Sequence, residues 1–290
     1  MESCLQLDRY LARSRLPSQR IKVALYCCQL LQDIVAADGG GPDHPGVCPR
    51  SLTPKTIPVT QQLFPDVNSA QIPAFFADSK YTLPNGTKFM DISPESTVFA
   101  IIIGGNDIGA HAFLTDSEAT GKTLPDYVDC VFEQLTVYTE TARVTSLSTS
   151  LRAMYLAPQY AMPEAGGLAA SQYWLDKHSN TTAVSQRMLQ QVATVNAIYD
   201  PRTPLEVMYK KMCPGASFTV VNLEGLLNGT APFNVTGYLN HCTLNGTDCV
   251  RIDNNNLDAF MLYDELHPSE QTWRMISCIK DFVKVIKCNS

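Results

Sequence analysis

The feature that most constrains the fold is an apolar run, Val98 to Ile103, that leads directly into a glycine-bearing polar turn, Gly104 to Asp107. A short, continuous and mostly β-branched apolar run bounded by a turn is typical of a parallel strand buried on both faces. In open parallel sheets, ligand-binding and catalytic side chains gather at the carboxyl ends of the strands. The sequence therefore predicts a strand over 97–103 and places Asn106 at an edge where a site can form.

The rest of the chain alternates between amphipathic helical patterns and apolar strands. Helices are predicted over 69–78, 124–141, 182–199 and 269–286, and further strands over 144–151 and 217–222. Residues 144–151 are polar for a central strand, which leaves the packing of that strand in question. Strands that alternate with helices predict an α/β fold with a central parallel sheet.

Composition supports one large α/β domain with an atypical beginning. The chain has 290 residues, of which 45% are hydrophobic, enough for a full core. Residues 1–60 stand apart: they are relatively basic, and within them only 21–28 forms a candidate strand. We predict an atypical, poorly ordered N-terminal segment over 1–60 and one α/β domain over 61–290.

Two classes of partner are disfavoured by the charge and hydropathy pattern. The net charge is −6 and the basic residues are scattered, whereas a nucleic-acid binder needs a concentrated basic face. No stretch approaches the roughly 18 to 20 uninterrupted apolar residues that a membrane span needs.

Near the C-terminus an aspartate, Asp264, stands three residues before a histidine, His267, and Pro268 follows at once. An imidazole that acts as a general base needs a carboxylate on its other nitrogen to fix the tautomer and stabilise the imidazolium. The spacing lets one loop supply both groups. Pro268 is expected in the first turn of the following helix, where a missing N–H costs nothing.

The two motifs together, G-x-N-D after a strand and D-x-x-H-P before the last helix, resemble the SGNH or GDSL-type esterase and acylhydrolase superfamily. Other parts of the sequence resemble the secreted fungal branch of this superfamily, which includes carbohydrate acetylesterases. These segments are 113–117, 125–135, 156–160 and 192–197. The resemblance implies that 61–290 is an SGNH/GDSL-type hydrolase domain with a flavodoxin-like, three-layer α/β/α sandwich, whose N-terminal strand region is diverged or incomplete. It implies catalytic roles for His267 and Asp264, and oxyanion or substrate contacts for Asn106 and Gly104.

The resemblance implies a carboxylic ester hydrolase that acts on acetyl or short acyl esters, including those of carbohydrates, by a Ser–His–Asp mechanism. The partner would be a small-molecule or carbohydrate ester, the protein a monomer, and no cofactor or metal is expected. The alternative is a catalytically inactive or truncated family member that lacks the nucleophile and retains at most ligand binding. The sequence contains no Gly-Asp-Ser, the block that carries the family's nucleophile, so the nucleophile is unknown.

Ser79 follows an aspartate but lies only 27 residues before Asn106, at the end of a predicted helix. It is interpreted as a cap or turn residue. The front of the chain has three interpretations: a diverged or truncated family start, an incorrectly derived upstream sequence, or an unusual first strand with another nucleophile. Gly39 to Gly41 lies near the expected position of an oxyanion glycine, although such runs usually mark loops.

Extracellular, secreted localisation is predicted from five N-x-S/T sequons, although no signal peptide is recognised in the chain. The sequons begin at Asn85, Asn180, Asn228, Asn234 and Asn245. Cys242 and Cys249 flank a glycine-bearing turn and could close a small disulfide loop. None of the ten cysteines has the repeated short spacing of a zinc site.

Overall fold

The computed structural model of the protein describes residues 22–24, 72–89, 97–101, 104–118, 120–142, 145–149, 153–208, 218–221, 234–245, 248–252 and 257–272. Its helices are α1 (Ile72–Lys80), α2 (Gly105–Ile108), α3 (Leu124–Ala142) and α4 (Thr181–Met208). Its strands are β1 (Lys22–Ala24), β2 (Thr97–Ile101), β3 (Thr145–Thr149), β4 (Phe218–Val221), β5 (Asn234–Tyr238), β6 (Asn240–Cys242), β7 (Cys249–Arg251) and β8 (Phe260–Leu262).

The main sheet has four strands in the order β1-β2-β3-β4, and all its neighbours run parallel. A connection between parallel strands must cross over the sheet, and α3 and α4 provide it for β2 to β3 and for β3 to β4. The mixture of helices with a small parallel sheet is compatible with the predicted α/β class. The three-layer sandwich stays a prediction.

The polar segment whose packing was in question forms a strand, and β3 pairs with β2 on one side and β4 on the other. Leu147 lies opposite Ala100 in β2 and Thr219 in β4. Paired on both edges, the backbone N–H and C=O groups are satisfied whatever the side chains are. Threonine also favours extended backbone, so a Ser/Thr-rich segment can hold this position.

The described core lies between α3 and α4. The buried apolar side chains of the two helices include Val128, Val131, Phe132, Met188, Val192, Val195 and Tyr199, and Ile108 of α2 joins them. The members in α4 recur at three- and four-residue spacing, the period of one helical face. This cluster packs against α2 through Ile108, and α2 carries Asn106.

Helix α4 continues to Met208, past the predicted end at residue 199 and through two prolines. Arg202 in the extension bonds to Asp129 of α3 and to Glu206 of its own helix, and its guanidinium lies over the ring of Phe132. Tertiary contacts therefore outweigh the helix-breaking tendency of the prolines. Of the predicted helix over 269–286, residues 270–272 are helical and the remainder lies outside the described residues.

The C-terminal part of the described chain forms two small sheets: β5 pairs with β8 in parallel, and β6 pairs with β7 as an antiparallel hairpin. A disulfide joins Cys242 and Cys249 across that hairpin, which confirms the predicted loop closure. No helix within the described ranges is both long and apolar enough to cross a membrane.

Some sequence predictions fall on parts of the chain with little or no description. The segment 1–60 is described only at Lys22–Ala24, where β1 pairs with β2, so its boundary with 61–290 stays a prediction. Asn228 and Gly39 to Gly41 lie outside the described residues. Of the other sequon asparagines, Asn234 begins β5, and three are exposed: Asn85, Asn180 and Asn245.

We expect Gly109→Ala to destabilise the fold by about 1–3 kcal/mol, because a Cβ there would lie 2.5 Å from the Gly105 carbonyl oxygen and 2.7 Å from the Tyr160 hydroxyl. Gly105→Ala is the matched control, since its Cβ would meet Met154 at 3.7 Å, an ordinary contact. Urea denaturation of both variants measures the difference. Equal stabilities would show that the packing of Gly109 against Tyr160 is not tight.

Candidate active site

Asp264 and His267 contact each other in the bend that follows β8. The imidazole Nδ1 lies 2.9 Å from Asp264 Oδ2 and 3.0 Å from Oδ1. The main-chain N–H groups of Leu266 and His267 also donate to Oδ1, at 2.9 Å and 2.6 Å. The three-residue spacing therefore produces a local turn in which one carboxylate binds both the backbone and the imidazole.

Asp264 is ionised although it is buried, with 3% of its surface exposed. Burial raises its pKa, but the nearby His267 charge and hydrogen bonds from His267 and Tyr173 outweigh burial and hold the pKa below its usual range. An ionised carboxylate can only accept hydrogen bonds, so Nδ1 of His267 must carry the proton. Nε2 is then the basic nitrogen, and the His267 side chain is 40% exposed.

The bend returns to the sheet through main-chain hydrogen bonds and ends at a serine cap. Tyr263 N–H donates to the His267 carbonyl at 2.8 Å, and Pro268 forms a bridge with Leu262. Ser269 Oγ accepts the Thr272 N–H at 3.2 Å, as an N-cap does. The expectation that Pro268 occupies the first helical turn was wrong, because Ser269 caps the helix and leaves Pro268 before it.

The neighbouring carboxylate, Glu265, has the opposite electrostatic character. It is 1% exposed; its Oε2 accepts a hydrogen bond from Gln172 Nε2 at 3.3 Å, and its Oε1 lies 3.5 Å from Nδ1 of His241. Burial raises the pKa of Glu265, and the Asp264 charge adds to this rise. Adjacent residues thus hold one carboxylate that stays charged and one that resists ionisation.

The second predicted motif forms the turn from β2 into the one-turn helix α2. Gly104 has a φ of 112°, a conformation that glycine adopts readily, and its carbonyl accepts the Ile108 N–H at 3.0 Å. Asn106 is the second residue of α2 and is half-buried, and Asp107 beside it is buried. The oxyanion role of Asn106 and Gly104 stays a prediction.

Both motifs are attached to one segment, residues 153–177, which follows β3. On one side, the Tyr160 hydroxyl receives the Ala110 N–H at 3.4 Å, just past α2. On the other side, Gln159 N–H donates to the Glu265 carbonyl at 3.0 Å, and Gln159 Nε2 donates to the Tyr160 hydroxyl at 3.0 Å. The segment therefore joins the Asn106 turn to the Asp264–His267 bend.

The two motifs follow strands of different sheets in the described part of the chain. Asn106 follows β2 of the four-stranded sheet, whereas the bend follows β8, which within the described residues pairs with β5. In the described structure the segment 153–177 contacts both motifs and so connects them.

Sequence reasoning gave no role to Lys177 of this segment. Lys177 Nζ donates to the carbonyl of Gln159 at 2.8 Å and lies 5.9 Å from the ring centroid of Trp174, and burial lowers its pKa to about 8. Trp174 is buried, and the ring of His111 meets it edge-on while His111 Nε2 lies 3.2 Å from Asp176 Oδ1. Lys177 has no spacing rule that would relate it to the motifs, so no sequence signal could have found it.

The structure does not bring a serine hydroxyl to His267 within the described ranges. Ser79 lies in α1 and donates to the Phe76 carbonyl at 3.0 Å, in agreement with its interpretation as a helix-end residue. Ser171 is buried and donates to Gln159 Oε1 at 2.8 Å, and Ser269 donates to the Phe260 carbonyl at 2.6 Å. The nucleophile stays unidentified.

Comparison with known proteins finds an acetylesterase of Hypocrea jecorina that is 29% identical over 237 residues. The aligned part makes up 78% of this chain and 66% of that protein, so the chain spans just under two thirds of the length of the relative. No protein-family model matches the chain. The similarity supports a relationship to esterases, while the SGNH type stays a prediction.

We expect Asp264→Asn and Glu265→Gln to have opposite, pH-dependent effects on the free energy of unfolding. The lowered pKa of Asp264 gives stability that is present above its ordinary value of 3.8 and is lost as pH falls through the folded-state pKa. Asp264→Asn should therefore cost about 1–3 kcal/mol at neutral pH and less in acid. The raised pKa of Glu265 makes its ionisation destabilising, so Glu265→Gln should gain relative to wild type as pH rises above 4.5.

Urea denaturation between about pH 3 and pH 8 measures both differences, and each variant serves as the control for the other. A pH dependence of the same sign for both variants would contradict the assignment of one charged and one reluctantly charged carboxylate.

Proposed function

We propose that the protein is an SGNH-type ester hydrolase that acts on acetyl or short acyl esters, including those of carbohydrates. The observation that supports this proposal most is the buried, ionised Asp264 on Nδ1 of His267, because it makes Nε2 a base that points away from its orienting acid. The similarity to an acetylesterase over 78% of the chain supports the acetyl group as substrate.

In this proposal His267 works as a general base and then as a general acid. Nε2 takes the proton of a serine hydroxyl as the serine oxygen bonds to the ester carbonyl carbon. The same proton then passes to the leaving alcohol as the acyl-enzyme forms, and a water repeats the sequence to release the acid. Asp264 keeps its charge throughout and stabilises the imidazolium.

Asn106 and Gly104 would stabilise the tetrahedral intermediate. The side-chain amide of Asn106 supplies a hydrogen-bond donor, and the turn that Gly104 permits sets where this donor lies. Removal of one such donor typically costs about 10²–10³-fold in kcat. The attachment of both motifs to the 153–177 segment supports a shared cleft for the amide and the imidazole.

The alternative is a non-catalytic protein that keeps the fold and binds an ester or sugar without turnover. It is favoured by the absence of Gly-Asp-Ser from the sequence and by the lack of a serine bonded to His267 among the described residues. The two functions differ in whether a covalent acyl-serine can form.

We expect the purified protein to hydrolyse 4-nitrophenyl acetate, and we expect His267→Ala to lower kcat by roughly 10³-fold or more because the base is lost. His178→Ala is the matched control, since His178 is exposed and its Nδ1 accepts the Asn180 N–H. A fluorophosphonate probe followed by peptide mass spectrometry would identify the labelled serine. Absence of both turnover and labelling would favour the non-catalytic alternative.

We also propose that the protein is secreted and glycosylated. At Asn85 the sequon is exposed, and both the N–H and the hydroxyl of Thr87 donate to Asn85 Oδ1, at 3.1 Å and 2.7 Å. This turn presents the asparagine side chain to solvent, as an acceptor of glycan requires.

We expect protein recovered from the medium of eukaryotic cells that express the chain behind a secretion leader to lose mass on treatment with an N-glycan amidase. Asn85→Gln should remove one glycan, whereas Asn106→Gln, which lies in no sequon, should remove none. An unchanged mass after amidase treatment would contradict glycosylation at these sites.

A further inference from the structure

The Asp264 carboxylate accepts hydrogen bonds both from its own bend and from a residue that is remote in the sequence. Its Oδ1 receives the N–H groups of Leu266 and His267, both from the same bend. Its Oδ2 receives the hydroxyl of Tyr173 at 2.7 Å, from a residue 91 positions away. Tyr173 thus supplies the contact that ties the carboxylate to the rest of the described structure.

The contacts from within the bend reach both oxygens of Asp264, since Nδ1 of His267 also lies 2.9 Å from Oδ2. These donors belong to the same bend as the carboxylate, so they hold it only relative to that bend. The Tyr173 hydroxyl binds Oδ2 from outside the bend, and it therefore limits how far the carboxylate can turn away from Nδ1 of His267. The phenol remains protonated as a donor because burial and the Asp264 charge raise the pKa of Tyr173.

Tyr173 also touches the imidazole directly. The rings of Tyr173 and His267 meet edge to face, with centroids 5.2 Å apart and planes at 79°. Such pairs favour a defined relative orientation beyond the area they bury. One side chain therefore contacts both the acid and the base of the candidate site.

The position of Tyr173 is set by a circuit of hydrogen bonds that returns to the same bend. Tyr173 N–H donates to Ser171 Oγ at 3.3 Å, and Ser171 Oγ donates to Gln159 Oε1 at 2.8 Å. Gln159 N–H then donates to the carbonyl of Glu265, the residue next to Asp264. Tyr173 is buried, with 9% of its surface exposed, so its hydroxyl has little freedom to leave Asp264.

We propose that Tyr173 is a positioning residue that orients the Asp264 carboxylate and, through it, the His267 imidazole. This role rests on the proposed hydrolase function, although the geometry it describes exists without turnover. Tyr173 does not touch the substrate; it acts by limiting the orientations of the acid and the ring.

The test replaces Tyr173 by phenylalanine, which removes the hydroxyl and keeps the ring against His267. The matched control is Tyr199→Phe, a buried tyrosine whose hydroxyl lies 3.5 Å from that of Tyr127 in the helical core. In carboxyl-¹³C NMR titrations, Tyr173→Phe should raise the pKa of Asp264, because one of the hydrogen bonds that lower it is gone. The Nδ1 proton resonance of His267 should shift or broaden, and the control should change neither signal.

In ester hydrolysis, Tyr173→Phe should lower kcat by roughly 10- to 100-fold with little change in KM, because an acid and base held loosely spend less time in the productive geometry. The control should keep the wild-type kcat. If the wild-type protein, Tyr173→Phe and Tyr199→Phe are all inactive, the hydrolase proposal is refuted. The NMR titrations then decide the role of Tyr173.

Identical Asp264 titrations and Nδ1 resonances in Tyr173→Phe and wild type would overturn the proposal. If Tyr173→Phe does not fold, the wild-type protein decides the question. A slowly exchanging Tyr173 hydroxyl proton with a nuclear Overhauser contact to Asp264 supports the proposal, and rapid exchange without that contact rejects it.

Discussion

The candidate site depends on one buried negative charge. A carboxylate that leaves water loses a large solvation energy unless donors replace the water. Asp264 meets this requirement with two main-chain amides, the imidazole of His267 and the hydroxyl of Tyr173. The charge in turn fixes the imidazole tautomer, so the chemistry available at Nε2 follows from how completely Asp264 is satisfied.

The 153–177 segment links the Asp264–His267 bend to the turn that carries Asn106. It carries Tyr173 to Asp264, ties Gln159 to the backbone of Glu265, and carries Tyr160 to the turn after Asn106. A substitution in this segment would therefore affect the positions of both motifs, even though the motifs are more than 150 residues apart along the chain.

Contacts that depend on short spacing could be predicted from the sequence, and contacts between remote residues could not. The apolar run predicted β2, and the three-residue spacing predicted that Asp264 and His267 share a bend. Strand β3 was in question because its residues are polar, whereas pairing on both edges is a property of the assembled sheet. Tyr173 had no signal, because its partner lies 91 positions away and a tyrosine beside a tryptophan is typical of any core.

The opposite pKa shifts of Asp264 and Glu265 determine the order in which the two carboxylates are protonated as pH falls. As pH falls, Glu265 is protonated first, because its pKa is raised while that of Asp264 is lowered. Its neutralisation removes a like charge next to Asp264, which makes the surviving anion easier to keep. Glu265 therefore becomes neutral before Asp264 does, and the imidazole keeps its counter-charge over the pH range in which Glu265 is protonated.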